Sequence, residues 1–435
     1  MNNYQKSKFN IIVPYKDNEN IIFNSFSGAI GKMDNETLNR FNNDNLEESE
    51  INTLLKKGIL INCDFDELAK VNNDREKGIN NNKVKYFRIW PTSACNARCY
   101  YCFEKGIKAK HMSLETADKV INFISKFIEE DSTLKIEWFG GEPLLCVDTI
   151  DYISKKLVEL CNAKNCKYKS TMITNGSLIN AEIAQKMKNA WNLSLVQITL
   201  DGYGKDYDNI KNYYNKSLFN FDSVIENIKT IAENTDIHVT IRMNYDTHNY
   251  DSLYKLINYI CENLKQYKNI SCYVYPVWSS IEENVDGQFI SNTEIDKNLL
   301  SLFDLLIKNK MGDVRKIARI NYRPNACQAW SLNSYTILPD GKMSKCCESY
   351  HQIVGDVSNG ITNQELFNFW VNPKLDEKCE NCKLVPICQG GCKASKFSKM
   401  PQCIMLKPHF DDFLKWYVSY LDEELEEKNK SKTEE

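Results

Sequence analysis

The sequence predicts an α/β protein: a partial (β/α)6, TIM-like barrel, preceded by a winged-helix-like module and followed by a cysteine-rich region. Three observations predict it. Strand-like and helix-like segments alternate six times between residues 84 and 312. Only one of the 17 cysteines, Cys63, falls in the first 80 residues. Cysteine density then jumps between 315 and 410, where periodicity falls away.

In residues 1–80, "FNIIVPY" and "NIIFNSF" are β-rich runs around the polar turn "KDNE", which reads as a hairpin. "ETLNRFNN" and "ESEINTLLKKGILI" follow as helical candidates, the second ending at a glycine before a short apolar strand. That order suits a winged-helix-like module. It carries 10 Lys plus Arg against 13 Asp plus Glu, which disfavours DNA as its ligand. "VNNDREKGINNNKV" has little apolar content and reads as a linker.

The six barrel strands are "YFRIW", "KIEWFG", "STMITNG", "LVQITLDG", "IHVTIRMNY" and "SCYVYPVW". In the first helix Ser113 is a cap, and Val120, Ile121, Ile124, Phe127 and Ile128 share one face. Later helices, through "TEIDKNLLSLFDLLIKN", repeat the pattern. Six βα units imply a parallel sheet that is too short to close as an eight-stranded barrel, leaving one side open. After the cysteine-rich region, residues 411–435 comprise the end of a helix and a charged, frayed tail, "EELEEKNKSKTEE".

Bulk properties exclude several classes. A net charge of −3 offers no field for nucleic acid or anionic membrane. No leader-like segment and no run of 18 apolar residues is present, so a cytoplasmic location is expected. In that compartment the cysteines form no disulfide frame. Five histidines, none in a Cys2His2 spacing, turn the thiols towards iron–sulfur chemistry.

"TSACNARCYYCFE" places Cys95, Cys99 and Cys102 in a C-x3-C-x2-C spacing just after the first barrel strand, at the end where barrels carry their chemistry. Three thiolates are one short of a closed tetrahedral site. A four-iron cluster so held keeps one iron open to a chelating molecule. "FGGEP" ends the second strand, where Gly140 and Gly141 permit close backbone approach and Glu142 offers a carboxylate to an ammonium. "TLDG" ends the fourth strand, and Arg242 on the fifth suits a carboxylate. Asp201, Asp340 and Glu348 read as turn or surface residues, and Cys146, Cys161, Cys166, Cys261 and Cys272 as core or surface thiols.

Cys95, Cys99, Tyr101 and Cys102, followed by Gly-Gly-Glu-Pro, resemble the radical S-adenosylmethionine superfamily. The resemblance implies a [4Fe–4S] cluster on the three cysteines and S-adenosylmethionine on the fourth iron. It also implies reductive cleavage to a 5′-deoxyadenosyl radical that abstracts hydrogen. By the same analogy Gly140, Gly141 and Glu142 approach the methionine amino group, the Tyr101 backbone meets adenine, and Thr199 or Arg242 holds the carboxylate.

Cys327, Cys346, then Cys379-x2-Cys382-x5-Cys388-x3-Cys392 and Cys403 resemble a SPASM domain, which carries two auxiliary [4Fe–4S] clusters. "LPDGK" is a hairpin turn that draws Cys327 and Cys346 together. The family pattern assigns Cys379, Cys382, Cys388 and Cys403 to the outer cluster, and Cys327, Cys346 and Cys392 to the inner one. That makes three clusters in all. The inner one is either closed by Cys347 or another residue, or open to a substrate thiolate. A structural zinc site is the competing reading.

Among SPASM enzymes, maturases of ribosomally made peptides, of the sactisynthase or ranthipeptide type, carry an N-terminal module that binds a leader peptide. The resemblance therefore implies peptide modification, a thioether cross-link above all, with flavodoxin or ferredoxin as electron donor. Anaerobic sulfatase-maturing enzymes are the alternative, but they place an aspartate where this chain has Cys347. A non-catalytic iron–sulfur or zinc scaffold is the third reading.

Overall fold

The computed structural model describes residues 3–277, 297–312, 320–324, 327–398, 402–404 and 406–433. The expected boundary between barrel and cysteine-rich region, and the start of the sixth barrel helix, lie outside those residues.

Six strands, β6 (Val84–Thr92), β7 (Thr133–Gly140), β8 (Lys167–Thr174), β9 (Leu193–Thr199), β10 (His238–Tyr245) and β11 (Ile270–Pro276), pair in chain order and all in parallel. β6 and β11 are not paired with each other among the described residues, so the sheet stays open. Side chains alternate along each strand. Phe87, Ile89, Ile136, Met172, Ile198 and Ile241 are buried in the main core. The intervening half-buried positions form a polar face: Tyr273 donates to Gln197 at 2.7 Å, Arg88 pairs with Glu137, and Arg242 lies 4.9 Å from the Tyr275 ring. In α4 (Leu114–Ser125), Ser113 accepts the Thr116 N–H as its cap, and Val120, Ile121 and Ile124 are buried.

Beyond the six expected strands, β12 (Ser334–Ile337) adds a seventh parallel strand against β6, from Ser334↔Tyr86 to Ile337↔Ile89. β13 (Lys342–Ser344) returns from it across "LPDGK" as the expected hairpin. β14 (Ile353–Asp356) and β15 (Gly360–Ile361) complete a continuous ten-stranded sheet. The cysteine-rich region is thus an extension of the barrel, its first strands continuing the barrel sheet.

The N-terminal residues form an antiparallel sheet of β2 (Asn10–Lys16), β3 (Glu19–Asn24) and β4 (Ile30–Asp34), preceded by β1 (Tyr4–Lys6). α1 (Asn35–Asn42), α2 (Glu48–Lys56) and β5 (Leu60–Asn62), which pairs with β1, follow. The segment read as a linker is instead largely helical: α3 (Glu67–Ile79) buries Val71, Arg75 and Ile79 at four-residue spacing. Arg75 docks this helix on the cysteine-rich region. Its Nε donates to Pro373 O at 2.7 Å, Nη1 donates to Gln389 O, and its guanidinium lies 4.3 Å from the Trp330 ring.

The C-terminal tail also departs from the expected fraying. α14 (Phe410–Thr433; helices α5–α13 lie between α4 and this element) packs Phe410 against Phe23 of β3 and sets Asp422 2.9 Å from Lys32. No helix among the described residues is long and apolar enough to cross a membrane.

Arg75→Ala should cost roughly 3 kcal/mol, because one buried and one part-buried carbonyl lose a charged donor and an indole loses its cation. The measurement is the denaturant midpoint of the anaerobic protein at unchanged slope. A shift equivalent to under about 0.5 kcal/mol, the range of ordinary surface substitutions, would show that α3 does not depend on this anchor.

Candidate functional site

The loop after β6 carries Cys95, Cys99 and Cys102, all half-buried. Two backbone contacts with the end of β7 hold it: Gly141 N–H donates to Thr92 O at 3.2 Å and Glu142 N–H to Ala94 O at 2.8 Å. There is no space for side chains in this contact. A Cβ on Gly140, whose φ is +95°, would stand 2.4 Å from Thr92 O, and one on Gly141 would stand 2.1 Å from Ala94 O. The loop's far side is tied by Arg98 N–H to Lys211 O at 2.8 Å, and Cys102 N–H closes a turn on Cys99 O at 3.2 Å.

Glu142 is fully buried beneath this junction. Its carboxylate accepts from Thr174 Oγ1 at 2.7 Å, Asn175 N–H at 2.8 Å and Leu144 N–H at 3.1 Å. Both oxygens are therefore committed to the protein. Burial pushes its carboxyl above the usual range, opposed by those hydrogen bonds.

Tyr101 donates to Asp201, whose other oxygen takes the Asn244 side-chain amide at 2.8 Å. Lys211, at the end of α7 (Lys205–Lys211), pairs with Asp201 at 2.7 Å and donates to Thr199 Oγ1 at 2.6 Å. Asp201, read as a turn residue, is in fact fully buried at the barrel end, and Lys211 is 1% exposed. Thr199 and Tyr101 thus meet in one network. Arg242 lies along the strand from it, its Nε donating to Asn244 Oδ1 at 2.8 Å.

The loop thiols sit in an environment hostile to free thiolates. Burial, then the Glu142 charge, pushes Cys95 up to about 12, and burial and Glu104 do the same to Cys102. Only a bound cation would keep such thiols ionised, which suits metal ligation. Glu104, two residues past Cys102, is pushed up to about 8 by burial and by Glu348 and Glu142. Nothing in the sequence singled it out beyond an acidic residue ending an aromatic-rich stretch.

Two further thiol sets lie in the extension. Cys379, Cys382, Cys388 and Cys403 line one pocket. Cys327, Cys346, Cys347 and Cys392 line a separate cavity of about 620 Å³ that reaches Arg88 and Glu348. Arg88 Nη1 donates to Cys347 Sγ at 2.7 Å, so Cys347 is turned towards the polar face of the barrel. Among the described residues no three His, Cys, Asp or Glu side chains stand close enough to share a single ion. Of the thiols not read as ligands, Cys161, Cys166 and Cys272 are buried, Cys146 and Cys261 half-buried, and Cys63 exposed.

Lys211→Met should destabilise the protein by about 3–5 kcal/mol, since Asp201 is left as an uncompensated buried charge. Adding Asp201→Asn should restore part of that loss in the same denaturant titration. Additive losses would mean that the pair is not energetically coupled.

Comparison with known proteins agrees with this geometry. Residues 89–260 match the Radical SAM superfamily. The chain is 26% identical over 267 residues to the radical SAM cyclopropyl synthase TigE of Paramaledivibacter caminithermalis, covering 53% of this chain and 55% of TigE. It is 26% identical over 355 residues to the cysteine-type anaerobic sulfatase-maturating enzyme of Clostridium novyi, covering 71% and 88%. Of the first two curated relatives it matches, the chain spans only 35% and 55% of their length. Among solved structures, anSMEcpe with bound AdoMet superposes with a TM-score of 0.59 at 19% identity, over 77% of this chain and 96% of that one. Streptococcus suis SuiB bound to precursor peptide SuiA superposes with a TM-score of 0.54 at 15% identity, over 92% and 98%. Residues 89–260 thus match the Radical SAM superfamily, and the chain shares the fold of anSMEcpe and SuiB.

Proposed function

We propose that the chain is a maturase that uses S-adenosylmethionine to modify a ribosomally made precursor peptide, forming a side-chain cross-link, a thioether first among the candidates. The observation that carries this reading is the grouping of cysteines into three separate thiol sets. One set is the three-thiol loop at the barrel mouth, and two line cavities in the extension. Cys95, Cys99 and Cys102 hold a [4Fe–4S] cluster with one iron left for S-adenosylmethionine. When bound, that pair supplies the deoxyadenosyl radical that removes a substrate hydrogen. Cys379, Cys382, Cys388 and Cys403 hold the outer auxiliary cluster, and Cys327, Cys346 and Cys392 the inner one.

Around the cosubstrate the chain's own groups have separate tasks. The backbone at Gly140 and Gly141 faces the methionine end, with Glu142 pinning that turn from below. The backbone at Tyr101 meets adenine, and Thr199 or Arg242 takes the carboxylate. The N-terminal sheet leaves the outer sides of β2 and β4 unpaired among the described strands, so a leader peptide can add a strand there. Similarity to the SuiB–SuiA complex supports a peptide substrate. Flavodoxin or ferredoxin is the proposed electron donor, and the clusters that the two further thiol sets would hold would supply electron-accepting capacity.

Similarity over 88% of the Clostridium novyi enzyme favours a second reading, formylglycine formation on a sulfatase. Cys347 in place of the expected aspartate speaks against it.

Cys95→Ala should abolish 5′-deoxyadenosine formation, whereas Cys379→Ala should keep it and lose the cross-linked product. Chromatography of 5′-deoxyadenosine and mass analysis of the precursor peptide for a loss of two hydrogens check both. Undiminished 5′-deoxyadenosine from the first variant would contradict the assignment of the mouth thiols.

A further inference from the structure

The thiol loop that follows β6 is bordered by cations. Residues 93–112 and 212–219 carry Arg98, Lys105, Lys108, Lys110 and Lys216 against one acidic residue, the half-buried Glu104. The chain as a whole has a net charge of −3, so this border is a local reversal of sign. All four lysines are exposed. Backbone contacts fasten the segment of the first three to the loop. Lys105 N–H donates to Cys102 O at 3.1 Å, Ser93 N–H to Lys110 O at 2.9 Å, and Ser93 Oγ to Lys108 O at 3.0 Å. Lys110 stands 3.9 Å from Asp340, whereas Lys105, Lys108 and Lys216 make no ion pair with a described residue. On either side of Lys216, Tyr214 is 68% exposed and Leu218 is 62% exposed. Tyr214 is nevertheless held in place. Its N–H donates to Asn96 O at 3.0 Å, and its ring lies 4.2 Å from the Arg98 guanidinium. A pinned, exposed aromatic with a charged border has the composition of a protein-docking surface.

We propose that this border, with Lys105, Lys108, Lys110 and Lys216 around Tyr214 and Leu218, is the docking surface for an acidic flavoprotein that delivers single electrons. This deepens the reading of the chain as a radical S-adenosylmethionine enzyme and rests on it. The loop that carries the border also carries the mouth thiols, so a partner seated there adjoins the group it reduces. One electron leaves the reduced flavin and enters the mouth cluster, and no atom changes hands. An apolar centre with a cationic border suits flavodoxin, whose flavin edge is apolar and bordered by carboxylates. Positive charge gathered on one side of an acidic chain steers such a partner to that side and speeds encounter.

The test is calorimetric titration of flavodoxin into the anaerobic, iron-loaded full chain. Wild type is compared with the triple variant Lys105→Glu, Lys108→Glu, Lys216→Glu. A second triple variant, Lys374→Glu, Lys383→Glu, Lys396→Glu, reverses three exposed lysines of the extension. Flavodoxin affinity should fall about tenfold or more in the first variant, and the second should bind nearly as wild type does. Wild-type affinity should also fall as salt rises, because salt screens the same attraction. Formation of 5′-deoxyadenosine driven by dithionite, a small reductant that needs no docking surface, should be equal in all three proteins. Equal affinity of the first variant and wild type, a loss confined to the second variant, or salt-independent binding would overturn the proposal. So would wild type that binds no flavodoxin. A first variant that also fails with dithionite would overturn it too, by assigning these lysines to the fold or the substrate path. Wild type that forms no 5′-deoxyadenosine with dithionite overturns the broader reading, while the titrations still decide this one.

Discussion

The site depends on a contact in which two stretches of backbone meet with nothing between them. At Gly140 and Gly141 the end of β7 lies against Thr92 and Ala94, and a methyl group would fall within 2.4 Å of a carbonyl oxygen at either position. No neighbouring side chain can yield to relieve such an overlap, because the obstacles are main-chain atoms. This contact positions Cys95, the first of the three mouth thiols, relative to the sheet. Glu142 secures it from below: its carboxylate binds donors on β8 and just beyond it while its backbone N–H holds Ala94 O, so three consecutive strand ends are linked through one residue.

Charge in the barrel is distributed with the same economy. Asp201 is answered by Lys211, Tyr101 and Asn244, and Glu137 by Arg88. Against that background of satisfied groups, Cys95, Cys102 and Glu104 stand out, because burial and neighbouring negative charge oppose their ionisation. Groups left in that condition belong to sites that a ligand completes. Arg88 extends the pattern into the extension, where it reaches the sulfur of Cys347 and joins the barrel face to the inner thiol cavity.

Much of this was legible in the sequence because the parallel strands are apolar on the helix-covered face and bounded by turn residues. All six appeared in order, as did the "LPDGK" hairpin and the thiols at the first strand's end. Misreadings arose where one buried residue is charged. α3 buries Glu67, Val71, Arg75 and Ile79, two of them charged, and runs into an asparagine-rich stretch, so its buried face was hidden. α14 was truncated because its charged end continues as helix after its apolar residues stop. β12 spans four residues and is defined by its partner β6, a pairing that local sequence does not encode. Asp201 looked like a turn residue for a related reason: its partner Lys211 lies ten positions away on a different element.

The account stands on the claim that three mouth thiols hold a cluster with one position left for S-adenosylmethionine. Electron paramagnetic resonance of the reduced, oxygen-free protein, recorded with and without S-adenosylmethionine, addresses that claim most directly. The account predicts a cluster signal whose g-values shift on adding S-adenosylmethionine. A cluster signal present in full and indifferent to S-adenosylmethionine would contradict it.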